Sequence, residues 1–154
     1  MAVYLVRHGK AGDRVGWEGD DRLRPLSKKG RQQAARLAVR FGDIAVAQVL
    51  SSPFVRCIET VHPIAEAKGL EVVLSEVLAE GSSFLDVIEL LNAVPDDTVL
   101  CSHGDVIPET VAALFRRGLT VSGPQDWRKG TTWVLERGLG GFETAHAWAP
   151  PLDD

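Results

Sequence analysis

Residues 3–9 read VYLVRHG, and residues 98–104 read TVLCSHG. In both stretches an apolar run typical of a buried strand leads into a histidine and a glycine. Further apolar runs alternate with helical patterns along the chain, which predicts a three-layer α/β/α sandwich with a mostly parallel central sheet. The carboxyl ends of such strands meet in one crevice, where α/β proteins bind their ligands. We therefore expect His8 and His103 to share one small volume.

The composition predicts one globular domain over residues 1–154, with 45% hydrophobic and 25% charged residues. A net charge of −4 argues against nucleic acid or an anionic membrane as a partner, so any anion site must be a local focus of positive charge. No apolar run approaches the ~20 residues of a membrane span, and the first strand begins too early to follow a signal peptide. Cys57 and Cys101 lack metal-binding spacing, and Cys101 is expected in the core. These features predict a cytoplasmic protein.

The periodicity places each motif on a strand, a helix or a turn. Strands are predicted over residues 2–7, 46–51, 71–75, 98–101, 131–136 and 142–148. Helices are predicted over residues 27–41, with Ser27 as the cap, and over 52–68, with a kink or break at Pro63. Further helices are predicted over residues 83–93, with Leu85, Ile88 and Leu91 inward, and over 106–117. The last two strands read as a hairpin that makes the sheet mixed.

The first motif is Arg7-His8-Gly9. A neutral imidazole has one nucleophilic nitrogen that can attack phosphorus while the other is held by a hydrogen bond. Arginine offers a planar fork of donors to phosphate oxygens, and glycine lets the backbone approach a ligand closely. By itself the tripeptide more often marks a histidine that merely ends a strand.

The second and third motifs also follow strands. Residues 51–56 read SSPFVR and open a helix whose free N–H groups face the same edge, with Arg56 within reach of the same anion. The alternative for Arg56 is a solvent-facing side chain. Residues 102–105 read SHGD, in which His103 is placed to donate to a phosphoryl oxygen, Gly104 leaves space and Asp105 is a candidate helix cap.

With these three motifs in this order, the chain resembles the histidine phosphatase superfamily, also called phosphoglycerate mutase-like. Residues 24–34, RPLSKKGRQQA, resemble the family pattern R-P-L-[ST]-x-x-G-x-x-Q-A of the first helix. The short length and the opening LVRHGKA are most similar to the small SixA-type phosphohistidine phosphatases. Residues 101–135 are similar to the phosphatase domain of Nudix-fused MutT-type proteins, although no Nudix motif is visible.

The resemblance implies a metal-independent and cofactor-independent phosphatase in which His8 becomes phosphorylated. Arg7, Arg56 and His103 would surround the transferring phosphoryl group, and Glu80 would be the general acid, with Glu76 as its competitor. The candidate substrate-binding residues are Gly9, Lys10, Ser52, Gly104, Arg128 and Lys129. For Lys10, Arg128 and Lys129, ordinary surface charges are the alternative.

Two other functions fit the same motifs: a phosphoglycerate mutase-type phosphotransferase, and a phospho-ligand binding module without catalysis. The short connection between the second strand and Glu80 predicts an open site, which favours hydrolysis. The expected partner is a phosphorylated small molecule or a phosphohistidine on a carrier protein. The sequence does not predict an oligomeric state.

Overall fold

The structure is a computed structural model, and it describes residues 1–152. Over these residues the strands are β1 (Ala2–Arg7), β2 (Gln48–Ser51), β3 (Val72–Leu74), β4 (Thr98–Ser102), β5 (Thr120–Val121), β6 (Thr132–Gly138) and β7 (Gly141–Trp148). The helices are α1 (Lys28–Arg40), α2 (Val55–Ala67), α3 (Phe84–Ala93) and α4 (Val106–Arg116). Short 3₁₀ turns lie at Asp21–Leu23 and Glu76–Leu78.

The described strands form one seven-stranded sheet in the order β3-β2-β4-β1-β6-β7-β5. Strands β1 to β4 are mutually parallel where they pair, whereas β6 runs antiparallel to both β1 and β7. The sheet is therefore mixed, as the terminal hairpin predicts. Arg7 pairs in register with Ser102, and Ser51 pairs with Cys101. The residues that follow these three neighbouring strands consequently emerge together at one edge.

Helices cover both faces of the sheet because alternate strand residues point to opposite sides. Leu5 and Leu100 pack in a cluster with α3 and α4. Val6 and Val99, one residue away on each strand, pack in a second cluster with α1 and α2. The predicted three-layer α/β/α arrangement is confirmed.

The helix predicted from residue 52 begins later, at Val55, since Phe54 keeps an extended backbone with ψ of 133°. The predicted break at Pro63 is wrong, because α2 continues to Ala67. Proline removes one backbone hydrogen bond from a helix interior. Val61 and Ile64 beside it are fully buried, and this apolar packing keeps the helix continuous.

Two further predictions about local structure differ from the fold. Leu85 does not point inward but is 53% exposed, because the buried face of α3 is centred on Val87, Ile88 and Leu91. Strand β5 was not predicted, since two residues carry no readable periodicity, and it forms by pairing with β7.

The prediction that Cys101 lies in the core is confirmed, and Trp133 is also buried there. Trp148 is half-buried and packs against Tyr4 and Phe41, with ring centroids 5.7 and 5.5 Å away respectively. Within residues 1–152, no helix has both the length and the apolar character that a membrane crossing requires.

Candidate active site

The three motifs meet at the carboxyl edge of the parallel strands. The His8 amide donates to the Ser102 carbonyl over 3.1 Å, and the Ser52 amide donates to the Cys101 carbonyl over 3.0 Å. A cavity of about 330 Å³ opens at this edge. Its lining consists of Arg7, His8, Lys10, Ala11, Gly12, Asp13, Arg14, Arg24, Arg56, Glu80, His103, Gly104, Asp105 and Lys129. The predicted crevice is therefore present and strongly polar.

His8 is held as a neutral, oriented imidazole. Its Nδ1 lies 2.8 Å from the Gly9 carbonyl oxygen. A carbonyl can only accept, so Nδ1 carries the proton and Nε2 is left with its lone pair. Burial lowers the pKa of His8 well below its ordinary value of 6.5, and the nearby charges of His103, Arg56 and Arg7 lower it further. The ring is consequently deprotonated at Nε2 near neutral pH, the form that attacks an electrophile.

The loop that carries His8 is fixed by side chains from both neighbouring helices. The Gly9 amide donates to Thr60 Oγ1 of α2 over 2.9 Å, and the Lys10 amide donates to Gln33 Oε1 of α1 over 2.9 Å. Helix α1 comes close to this loop because Gly30 has no side chain. A Cβ at Gly30 would lie 2.0 Å from the Lys10 carbonyl oxygen. The motif in residues 24–34 therefore serves to dock α1 against the His8 loop.

His103 lies across the cavity floor from His8, with ring centroids 5.3 Å apart. Its Nε2 is 2.9 Å from Ser52 Oγ and 3.5 Å from Cys57 Sγ. Ser52 Oγ also accepts from the Phe54 amide over 3.2 Å, and we assign its own proton to the bond with Nε2. This assignment places the His103 ring proton on Nδ1.

Two arginines from the predicted motifs, Arg7 and Arg56, line the cavity. Arg56, only 1% exposed, donates to Asp21 over 3.1 Å and to Glu80 over 3.3 Å. Arg7 donates through Nη1 to the Trp127 carbonyl over 2.5 Å. Its pKa is lowered by burial, although Asp105 opposes that change. A Cβ at residue 104 would lie 2.5 Å from the Arg7 guanidinium carbon, so Gly104 creates the space that Arg7 occupies.

The two candidate general acids, Glu80 and Glu76, occupy different positions relative to the cavity. Glu80 lines the cavity and bonds both Arg56 and Arg14 at 3.3 Å, with its side chain 35% exposed. Glu76 is 70% exposed, lies outside the lining and pairs with Arg22 at 3.0 Å. That ion pair lowers the pKa of Glu76. Of the two candidates for a general acid, only Glu80 is positioned at the site.

Three buried donors on lining side chains have no hydrogen-bond partner within residues 1–152: Arg7 Nε, Arg56 Nε and His103 Nδ1. Leaving a buried polar group unsatisfied costs about 1–3 kcal/mol, so native structures seldom keep one without a purpose. All three are compatible with an anionic acceptor. They belong to three different motifs, which sequence proximity alone would not bring together.

The structure places three of the predicted site residues, Gly9, Ser52 and Arg128, outside the cavity lining. Ser52 is fully buried and contacts His103 rather than the cavity, and Gly9 likewise lies behind the lining. Arg128 is also outside the lining and pairs with Asp126 at 2.6 Å, since that carboxylate is two residues away. Asp105 occupies the cap position of α4 but makes no side-chain cap bond, because its Oδ2 accepts from the Gly81 amide over 2.8 Å. Lys10, Gly104 and Lys129 do line the cavity.

Sequence reasoning missed four residues at or beside the site: Arg14, Arg24, Asp21 and Cys57. Arg24 was visible only as part of the first-helix pattern. In the structure it is buried and bonds Asp21 at 2.9 Å, and Asp21 in turn bonds Arg56. In the part of the chain that the structure describes, no group of three or more His, Cys, Asp or Glu side chains is arranged to hold a metal ion.

Solved structures share this fold. The protein histidine phosphatase SixA complexed with tungstate superposes with a TM-score of 0.74 at 22% identity, covering 94% of this chain and 96% of that one. A putative phosphohistidine phosphatase SixA from Agrobacterium tumefaciens gives a TM-score of 0.73 at 24% identity, covering 92% and 96% respectively.

Sequence relatives extend the comparison. An 8-oxo-(d)GTP phosphatase of Mycolicibacterium smegmatis is 32% identical over 156 residues, which cover 97% of this chain and 48% of that protein. A probable phosphoglycerate mutase GpmB of Shigella dysenteriae is 34% identical over 85 residues, 52% of this chain and 38% of that protein. The chain thus spans about half the length, or less, of these relatives. The model of the histidine phosphatase superfamily (branch 1) matches residues 3–85, which is more than half of the chain, and the chain therefore belongs to that superfamily.

Proposed function

We propose that this chain is a phosphatase that hydrolyses a phosphate bond through a covalent phosphohistidine on His8, without a metal ion. The observation that carries the proposal is the His8 ring. It is 6% exposed, its Nδ1 is held by the Gly9 carbonyl, and the residue lines a cavity with cationic walls. A buried imidazole that merely ended a strand would not require two arginines and a second histidine around it.

In the first step, Nε2 of His8 attacks the phosphorus atom and the bond to the leaving oxygen breaks. The phosphoryl group is loosely bonded in such a transition state, so the protein contributes mainly fixed donors around its oxygens. The unpartnered donors of Arg7, Arg56 and His103 are suited to this. Electrostatic donors of this kind are each worth about 3–4 kcal/mol in transition-state stabilisation.

In the same step Glu80 gives its proton to the leaving oxygen. Its carboxylate then takes a proton from water as the water oxygen attacks the phosphorus of phospho-His8. The N–P bond breaks, its electron pair returns to Nε2, and inorganic phosphate leaves. Glu80 regains its proton and His8 its neutral form, so the cycle closes without another reactant.

Rapid acid- and base-quench of the purified protein with a ³²P-labelled aryl phosphate tests this proposal. We expect a phosphoenzyme that is labile in acid and stable in base, release of phosphate to water, and unchanged turnover in EDTA. His8→Ala and His8→Asn should both remove the phosphoenzyme while circular dichroism shows the native fold. Substantial turnover in either folded variant, or strict dependence on an added metal, would overturn the mechanism. Transfer of the phosphoryl group to a sugar acid in preference to water would indicate the mutase instead.

A further inference from the structure

The cavity carries more positive charge than one phosphoryl group requires. Among the described residues its lining includes six lysine or arginine side chains and three carboxylates, although the whole chain has a net charge of −4. Arg7 and Arg56 lie beside the two histidines. Lys10, Arg14 and Lys129, which we name the outer cluster, line the same cavity. Its volume of about 330 Å³ is in the range of small-molecule sites, which begins near 300 Å³.

The backbones of two members of the outer cluster are held by one buried side-chain amide, that of Gln33. Gln33 is 3% exposed, and its Oε1 accepts from the Lys10 amide over 2.9 Å. Its Nε2 contacts the Lys129 carbonyl at 3.4 Å. The following Gly130 amide donates to the carbonyls of Arg7 and His8 over 3.1 Å. Lys10 and Lys129, which lie far apart in sequence, are therefore both tied to the backbone that carries His8.

The positive charge of Lys129 is unfavourable in the absence of an anion. Within residues 1–152 no carboxylate forms an ion pair with it, in contrast to Arg14, which bonds Glu80. Burial lowers the pKa of Lys129, and the surrounding charges of Arg7, Arg24, Lys10 and Arg14 lower it further. Four cations converge on a fifth, a repulsive arrangement that an anion relieves.

The lining also indicates how the rest of a substrate is recognised. Apart from the two imidazoles, no aromatic ring of the described residues lines the cavity, and Ala11 and Gly12 are its small apolar members. A nucleobase or aryl group would find no ring on which to stack. Selection inside this cavity therefore depends on charge.

We propose that Lys10, Arg14 and Lys129 form a second anion subsite, which selects small molecules that carry a second phosphate close to the one transferred to His8. This inference rests on the proposed function, since it assigns the first phosphate to the pocket at His8. It favours phosphoanhydrides and closely spaced bisphosphates. A phosphohistidine side chain on a carrier protein, with its single phosphate, would leave the outer cluster without a ligand.

Calorimetric titration of the His8→Asn variant, which lacks the nucleophile, with inorganic phosphate, inorganic pyrophosphate and phosphoglycolate tests the subsite without turnover. The Lys129→Gln and Arg128→Gln substitutions are made in the same His8→Asn background. We expect pyrophosphate to bind at least tenfold more tightly than phosphate, and more tightly than phosphoglycolate. Lys129→Gln should reduce the pyrophosphate-to-phosphate preference about tenfold, the effect of losing one charged hydrogen bond. Arg128→Gln is the matched control, because it removes the same charge from the next residue and should leave the preference unchanged.

The outcomes separate this inference from the proposed function. Equal affinity for phosphate and pyrophosphate, or the same change in both variants, would overturn the subsite even if aryl phosphate is hydrolysed. Tighter binding of phosphoglycolate than of pyrophosphate would overturn the second phosphate in favour of a carboxylate. A pyrophosphate preference that depends on Lys129, together with the absence of a phosphoenzyme in the protein with His8 intact, would support the subsite and reject the catalytic mechanism.

Discussion

Replacing Ser52 with alanine should impair catalysis at the site although Ser52 itself does not line the cavity. Ser52 Oγ bonds His103 Nε2 at 2.9 Å and accepts from the Phe54 amide at 3.2 Å. Each buried hydrogen bond contributes about 1 kcal/mol net, and an unsatisfied partner adds to the loss. We therefore expect the free energy of unfolding to fall by about 2–3 kcal/mol in Ser52→Ala.

The catalytic effect follows from the orientation of His103. Removing a transition-state donor altogether costs about 10²–10³ in kcat, which sets an upper limit. Ser52→Ala keeps the His103 ring but removes the hydrogen bond that fixes its tautomer and orientation. Losing about 1.4 kcal/mol of transition-state stabilisation corresponds to a tenfold decrease in kcat/KM. We expect a decrease of about that size with an aryl phosphate.

Ser51→Ala is the matched control, because Ser51 is equally buried and its hydroxyl donates to the Ser52 carbonyl at 2.8 Å rather than to His103. It should lose about 1 kcal/mol of stability and keep its kcat/KM within twofold. Ring-nitrogen NMR shifts give a readout that destabilisation alone does not move. They should show the His103 proton on Nδ1 in the native protein and a tautomer mixture in Ser52→Ala. Equal kcat/KM in the two serine variants, or an unchanged tautomer in Ser52→Ala, would refute the positioning role.

Three further results are expected. Glu80→Gln should lower kcat for an alkyl phosphate by about 10²–10⁴, the usual contribution of a general acid, whereas Glu76→Gln should not; equal rates in the two variants would require another acid. Gly30→Ala should lower the free energy of unfolding measured by chemical denaturation by about 1–3 kcal/mol, because the added Cβ would lie 2.0 Å from the Lys10 carbonyl oxygen. Gly16→Ala is the control and should not lower it, since the space around Gly16 is open. Burial and nearby charges lower the pKa of His8, so its neutral, nucleophilic form persists as the pH falls. After correction for the substrate's own titration, the acid limb of the kcat/KM profile should therefore lie below pH 6.5. A limb at or above pH 6.5 that depends on His8 would contradict this.

Much of the architecture was predictable because it depends on local periodicity. The runs that became β1 and β4 are continuously buried, and Ser27 caps α1 by accepting from the Gly30 amide over 3.1 Å. Pro63 misled the prediction, since the proline penalty is local whereas the packing of α2 is tertiary. Strand β5 escaped prediction because its two residues are ordered only by their pairing with β7.

At the site, the sequence alone determined which groups follow the parallel strands, and hence that His8, Arg56 and His103 would lie at one edge. Chain order and strand direction are sufficient for that inference. Only the tertiary structure decided what each side chain contacts. It turned Ser52 toward His103 and brought Lys129 into the lining of the same cavity as Lys10. Such contacts depend on the packing of distant segments and on competition among partners for the same hydrogen bonds, and neither leaves a periodic trace in the sequence.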